Sequence, residues 1–98
     1  MSLEAFTSQV RANAAAKPAL KATIKFAFEE GGAIYIDGSG DANEVHNDDK
    51  PAQCTVKMKL ENFGKLMGRT LDPMTAFVSG KLKVEGDMSV AMKLQKIF

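Results

Sequence analysis

The sequence predicts an α+β domain: a single, mostly antiparallel sheet of about five strands with helices packed on one face. Three observations predict it. Apolar and polar residues alternate at a period of two in separate stretches at 20–29, 33–37, 54–60 and 81–85. Helical spacing takes over before the first of these stretches and again after the third. The early stretches follow one another through short polar or glycine-rich connections, which predicts antiparallel hairpins from the first strand to the fourth. At 98 residues the chain is long enough for one core, so residues 1–98 form one domain.

The elements follow in order. Leu3, Phe6, Val10 and Ala14 share one helical face, Ser2 can cap them, and Lys17-Pro18 stops the helix near residue 16. In Leu20–Glu29 the side chains of Leu20, Ala22, Ile24, Phe26 and Phe28 point one way and Lys21, Thr23, Lys25 and Glu29 the other. Glu30-Gly31-Gly32 turns the chain, and Ile34 and Ile36 continue the inward face. Gly38-Ser39-Gly40 is a second turn; it lacks the helix that would have to follow a phosphate loop. Asp41–His46 can add a short strand, and Asn47–Pro51 is a polar loop. Cys54, Val56, Met58 and Leu60 point inward on the next strand. Phe63, Leu66 and Met67 then take helical spacing. Asp72-Pro73 starts a further helix with aspartate as cap and proline in the first turn. Its apolar stripe is Met74, Phe77 and Val78. Leu82 and Val84 face inward on the last strand, and Asp87 caps the last helix.

Composition excludes several function classes. Thirteen basic against twelve acidic residues leave a net charge of +1, not the basic excess that phosphate neutralisation requires, so nucleic acid is not an expected partner. One cysteine, Cys54, excludes a disulfide framework and a cysteine-rich zinc site, and fits a reducing compartment. No apolar run approaches the ~20 residues of a membrane span, and no secretory signal opens the chain. A cytoplasmic protein is expected. His46 is the single histidine and reads as a solvated loop or edge residue; Cys54 reads as small core packing. No catalytic constellation, metal site or cofactor is expected. An acyl-thioester hydrolase using Cys54 or His46 is the enzymatic alternative.

Two surfaces stand out. Lys21, Lys25, Lys57, Lys59, Lys81 and Lys83 all take outward positions, which suits a soluble sheet face or a weak contact with anionic membrane lipid. On the dry side, seven of the eleven residues from Met88 to Phe98 are apolar, a wider stripe than one-sided packing needs. Met67, Met74, Met88 and Met92, four of the six methionines, sit in the helical half. Methionine suits a core and also a pocket that must fit several shapes. Surplus apolar surface of this kind buries against a ligand, a partner or a second copy.

The stretch from Leu71-Asp72-Pro73 through Ala76-Phe77, then Ser79-Gly80-Lys81-Leu82-Lys83-Val84-Glu85-Gly86-Asp87 and Ala91-Met92-Lys93-Leu94, resembles the sterol carrier protein type 2 family. Pro51–Phe63 is similar to that family's strand leading into its first short helix, and the element order agrees from residue 3 onward. The resemblance implies an apolar tunnel between sheet and helices, holding fatty acid, fatty acyl-CoA, sterol or phospholipid for non-catalytic binding and intracellular transfer. It implies lining by Met74, Phe77, Val78, Met88 and Met92. Inward strand parity adds Phe26, Phe28 and Met58, and the methionine pattern adds Met67. The expected state is a monomer or weak dimer. The alternative is an interaction module whose apolar C-terminal helix buries against a partner or second copy. Two departures are visible. Arg69 stands where the family keeps glycine, and the chain ends Lys96-Ile97-Phe98 rather than on a peroxisomal address.

Overall fold

The computed structural model describes residues 2–93. Helix α1 (Leu3–Ala15) starts at Ser2, whose Oγ accepts the Ala5 N–H at 3.2 Å, and it buries Phe6, Thr7, Val10 and Ala14. It stops ahead of Pro18, as the sequence requires. Strands β1 (Thr23–Phe28), β2 (Ala33–Asp37) and β3 (Glu44–His46) form an antiparallel meander. The first strand begins later than its alternation predicts. Lys21 takes φ of 59° and belongs to a turn, although Leu20 and Ala22 are buried as expected.

Strand β4 (Cys54–Met58) departs from the predicted chain of hairpins. It does not pair with β3; it runs parallel to β1, with Ile24 beside Cys54 and Phe28 beside Met58. The 47–53 connection returns the chain over the outer face. Tyr35 Oη donates to the Pro51 carbonyl at 2.9 Å, and Lys25 Nζ donates to Asp49 at 2.8 Å. That loop accounts for the burial of Tyr35 on the otherwise wet face. Strand β4 also ends earlier than predicted. Past Met58 it has no partner residue on β1, Lys59 becomes the N-cap of α2 (Leu60–Met67), and Leu60 is helical rather than an inward strand residue.

Helix α3 (Pro73–Val78), strand β5 (Leu82–Gly86) and helix α4 (Met88–Ala91) complete the described fold. The sheet order is β3-β2-β1-β4-β5, antiparallel at every pairing except β1–β4. Leu94, Ile97 and Phe98, assigned above to the last helix, lie outside the described residues. The core sits between α1, α2 and the inner sheet face. Phe63 of α2 is its hub, with ring centroids 5.4 Å from Phe6, 5.1 Å from Phe26 and 5.2 Å from Phe28.

Candidate functional site: an apolar groove between α3, β5 and α4

The groove is assembled by two capped helices and the strand between them. Asp72 Oδ2 accepts the Thr75 N–H at 3.0 Å, which starts α3 with Pro73 at a position where its missing N–H costs nothing. Strand β5 ends at Gly86, with φ of 99°. A Cβ there would lie 2.4 Å from the Gln53 carbonyl oxygen, so only glycine lets the chain turn this close to β4. Asp87 then starts α4: its Oδ1 accepts the Ser89 N–H at 2.9 Å and the Ser89 Oγ at 2.6 Å. These bonds hold the Asp87 carboxyl below its ordinary value.

The resulting groove has a volume of about 260 Å³. Helix α3 supplies Pro73, Met74 and Phe77; β5 supplies Leu82 and Val84; Met88, Ala91 and Met92 close the far side. Every wall residue among the described residues is apolar. Met74, Phe77, Met88 and Met92 remain about half exposed, so the groove is open to solvent. Its volume is just under the ~300–1,000 Å³ usual for small-ligand pockets. A wider hollow of about 570 Å³ beside α2 includes Glu61, Lys65 and Thr70, and is poorer in apolar wall for that reason.

The residues singled out from the sequence fall into three places. Met74, Phe77, Met88 and Met92 meet in the groove. Phe26, Phe28 and Met58 are buried in the core beneath α1 and α2, where the Phe63 ring fills the space between sheet and helix, and Met67 is buried at the end of α2 itself. Val78 is 79% exposed and outside the groove wall. Sequence reasoning missed Pro73, Leu82, Val84 and Ala91 as wall residues. Leu82 and Val84 carried the signal, since their inward parity on an edge strand turns them toward whatever covers that edge.

The other candidates stand away from the groove. His46 stacks on Tyr35 at 4.9 Å at the β3 edge. Cys54 is fully buried in β4, and burial pushes its thiol up. Three of the six lysines of the lysine face are engaged within the chain. Lys25 pairs with Asp49 at 2.8 Å, Lys57 pairs with Glu85 at 2.7 Å, and Lys21 Nζ donates to the Gly40 carbonyl. Lys59 and Lys81 lie just outside the strands.

Comparison with known proteins bears on this groove. Hydroxysteroid dehydrogenase-like protein 2 from Danio rerio is 41% identical over 76 residues, 76% of this chain and 18% of that protein. Human sterol carrier protein 2 is 42% identical over 59 residues, 60% of this chain and 11% of that protein. The chain therefore spans less than a fifth of these curated relatives. Two structures of sterol carrier protein 2 like 2 from Aedes aegypti share the fold. The crystal structure has a TM-score of 0.79 at 20% identity, covering 98% of this chain and 95% of that one. The palmitated form in solution has a TM-score of 0.73 at 22% identity, covering 99% and 94%. With residues 3–98 also matching the SCP-2 sterol transfer family throughout, the chain belongs to that family of lipid-transfer domains.

Proposed function

We propose that this domain carries the acyl chain of a fatty acid, fatty acyl-CoA or phospholipid, or a sterol, in the groove between α3, β5 and α4, without covalent chemistry. The observation that carries the reading is a groove whose wall, among the described residues, is wholly apolar and rich in methionine, yet half exposed. Transfer from water into such a wall favours the bound state by about 0.8 kcal/mol per buried CH₂. Methionine side chains adapt to different ligand shapes, which suits loose selectivity. Palmitate on the Aedes aegypti relative supports an acyl ligand. Among the described residues the groove wall carries no titratable side chain, which supports binding rather than catalysis. No helix among the described residues is long and apolar enough to cross a membrane. The reading is of a cytoplasmic, monomeric or weakly dimeric carrier, and it concerns this domain alone.

Ligand-linked stability tests it. A long-chain fatty acid at about a hundred times its dissociation constant stabilises the fold by ~2.7 kcal/mol. Each kcal/mol moves the melting midpoint of a domain this size by roughly 4–8 °C. The midpoint should rise by about ten degrees or more, and free coenzyme A should leave it unchanged. Met92→Lys places a charge on the wall and should reduce the lipid shift more than Lys57→Glu does. A midpoint that ignores lipid and rises with protein concentration would instead identify an interaction module.

A further inference from the structure

The described methionines occupy two unlike settings. Met58 and Met67 lie in the core at 1% and 9% exposure, while Met74, Met88 and Met92 line the groove at between 50% and 58%. Leucine would give the groove a wall of similar volume without the sulfur. A thioether adds a property that leucine lacks: it can be oxidised to a polar sulfoxide and reduced back again. Accessibility decides which thioethers react, and among the described methionines the accessible ones are those of the groove wall.

Two helices bring these sulfurs to one place. Met74 follows Pro73 in the first turn of α3, on one wall. Met88 opens α4 and Met92 closes it, four residues apart on one helical face, on the far wall. The rest of the described wall, Pro73, Phe77, Leu82, Val84 and Ala91, has no side-chain hydrogen-bond donor. A sulfoxide oxygen turned into the groove therefore has no side-chain partner there, and beside a bound acyl chain it costs the ligand affinity. A sulfoxide turned to water leaves its place on the wall and removes apolar contact instead. Both orientations weaken binding. The thiol that could compete for oxidant is out of reach: Cys54 is fully buried in β4, and burial holds it as the unreactive thiol.

We propose that Met74, Met88 and Met92 form a reversible oxidation site that shuts the empty groove to lipid. The oxidant is a hydroperoxide in the surrounding water. With hydrogen peroxide, a sulfur lone pair attacks one peroxide oxygen, the O–O bond breaks and the S–O bond forms. The departing hydroxide takes the proton of the transferred oxygen and leaves as water. Sulfur supplies the electron pair, and the peroxide is reduced. A dithiol-dependent methionine sulfoxide reductase reverses the change: the oxygen leaves as water and the dithiol becomes a disulfide. An acyl chain in the groove covers the sulfurs, so oxidation acts on the unloaded carrier and spares the loaded one. This control of loading rests on the lipid-carrying reading of the groove.

Limited hydrogen peroxide, followed by tandem mass spectrometry and palmitate titration of the melting midpoint, tests the site. Met74, Met88 and Met92 should gain oxygen ahead of Met58 and Met67, and saturating palmitate should slow that gain. Affinity for palmitate should fall by about tenfold in the oxidised protein. Methionine sulfoxide reductase with dithiothreitol should restore it. A variant carrying Met74→Leu, Met88→Leu and Met92→Leu should have the same palmitate affinity before and after peroxide, whatever its starting value. Oxidation of Met58 and Met67 as fast as the other three overturns the site. So does an oxidised protein that binds palmitate as the untreated one does, or a loss that the reductase fails to reverse. Each of these leaves the groove reading standing. Untreated protein whose midpoint ignores palmitate fails the groove reading itself, before any peroxide is added, and takes the control of loading with it.

Discussion

Arg69 closes α2 in a conformation that suits glycine better. Its φ is 62°. The Thr70 N–H donates to the Lys65 carbonyl at 2.9 Å and the Arg69 N–H to the Leu66 carbonyl at 3.1 Å, the paired bonds of a helix end with a left-handed residue after the cap. A residue with a Cβ pays about 1–2 kcal/mol to adopt it. The family resemblance puts glycine at this place, and the backbone supplies the reason. Arg69→Gly should therefore raise stability by roughly 1 kcal/mol in urea unfolding. No gain would mean that the arginine side chain makes compensating contacts.

Three hydrogen-bonded carboxyls, two beside the groove and one at the end of β2, give the elements an acid sensitivity. Asp87 is held below its ordinary value by bonds from Ser89, Asp37 by bonds from Ser39, and Glu85 by a hydrogen bond from Lys57. Each carboxyl binds fewer protons in the folded chain than in the unfolded one. Their contribution is complete above the ordinary values of 3.8 for aspartate and 4.5 for glutamate, and is lost as pH falls through the lowered folded values. Urea midpoints should be flat from neutral pH to about 5 and then decline. Ser89→Ala should lower the midpoint at neutral pH and make the acid decline shallower. An unchanged decline would remove Asp87 from the account. Helix α4 is thus held by its cap and by the Asp87 N–H bond to Gln53 at 2.9 Å, beside the burial of Val90.

Across the whole molecule, core and groove are separate compartments built from the same residue types. Met58 is buried within the cluster around Phe63, while Met88 is 50% exposed on the groove wall. Met58→Ala should cost about 2–5 kcal/mol, with the fatty-acid melting shift retained. Met88→Ala should cost less than about 1 kcal/mol and reduce that shift. Denaturant unfolding alongside ligand titration separates the two, and a reversal of the pattern would exchange the assignments of core and groove.

Local patterning was enough for the elements. The alternation of Ile24, Phe26 and Phe28 against Thr23 and Lys25, the caps Ser2, Asp72 and Asp87, and the stop at Pro18 all depend on near neighbours in the chain. The Leu-Asp-Pro and Ser-Gly-Lys-Leu stretches carried the family. Pairing did not follow from such patterns, because period two assigns a side chain to a face and not a strand to a neighbour. Hence β4 lies parallel beside β1 after the 47–53 loop crosses the outer face. The groove was legible in Met74, Phe77, Met88 and Met92, but not its limits. An inward residue looks the same in sequence whether a ring such as Phe63 fills the space before it, as for Phe26, or the space is filled only in part, as for Val84. Filling is a property of what packs opposite, and residues distant in the chain supply it.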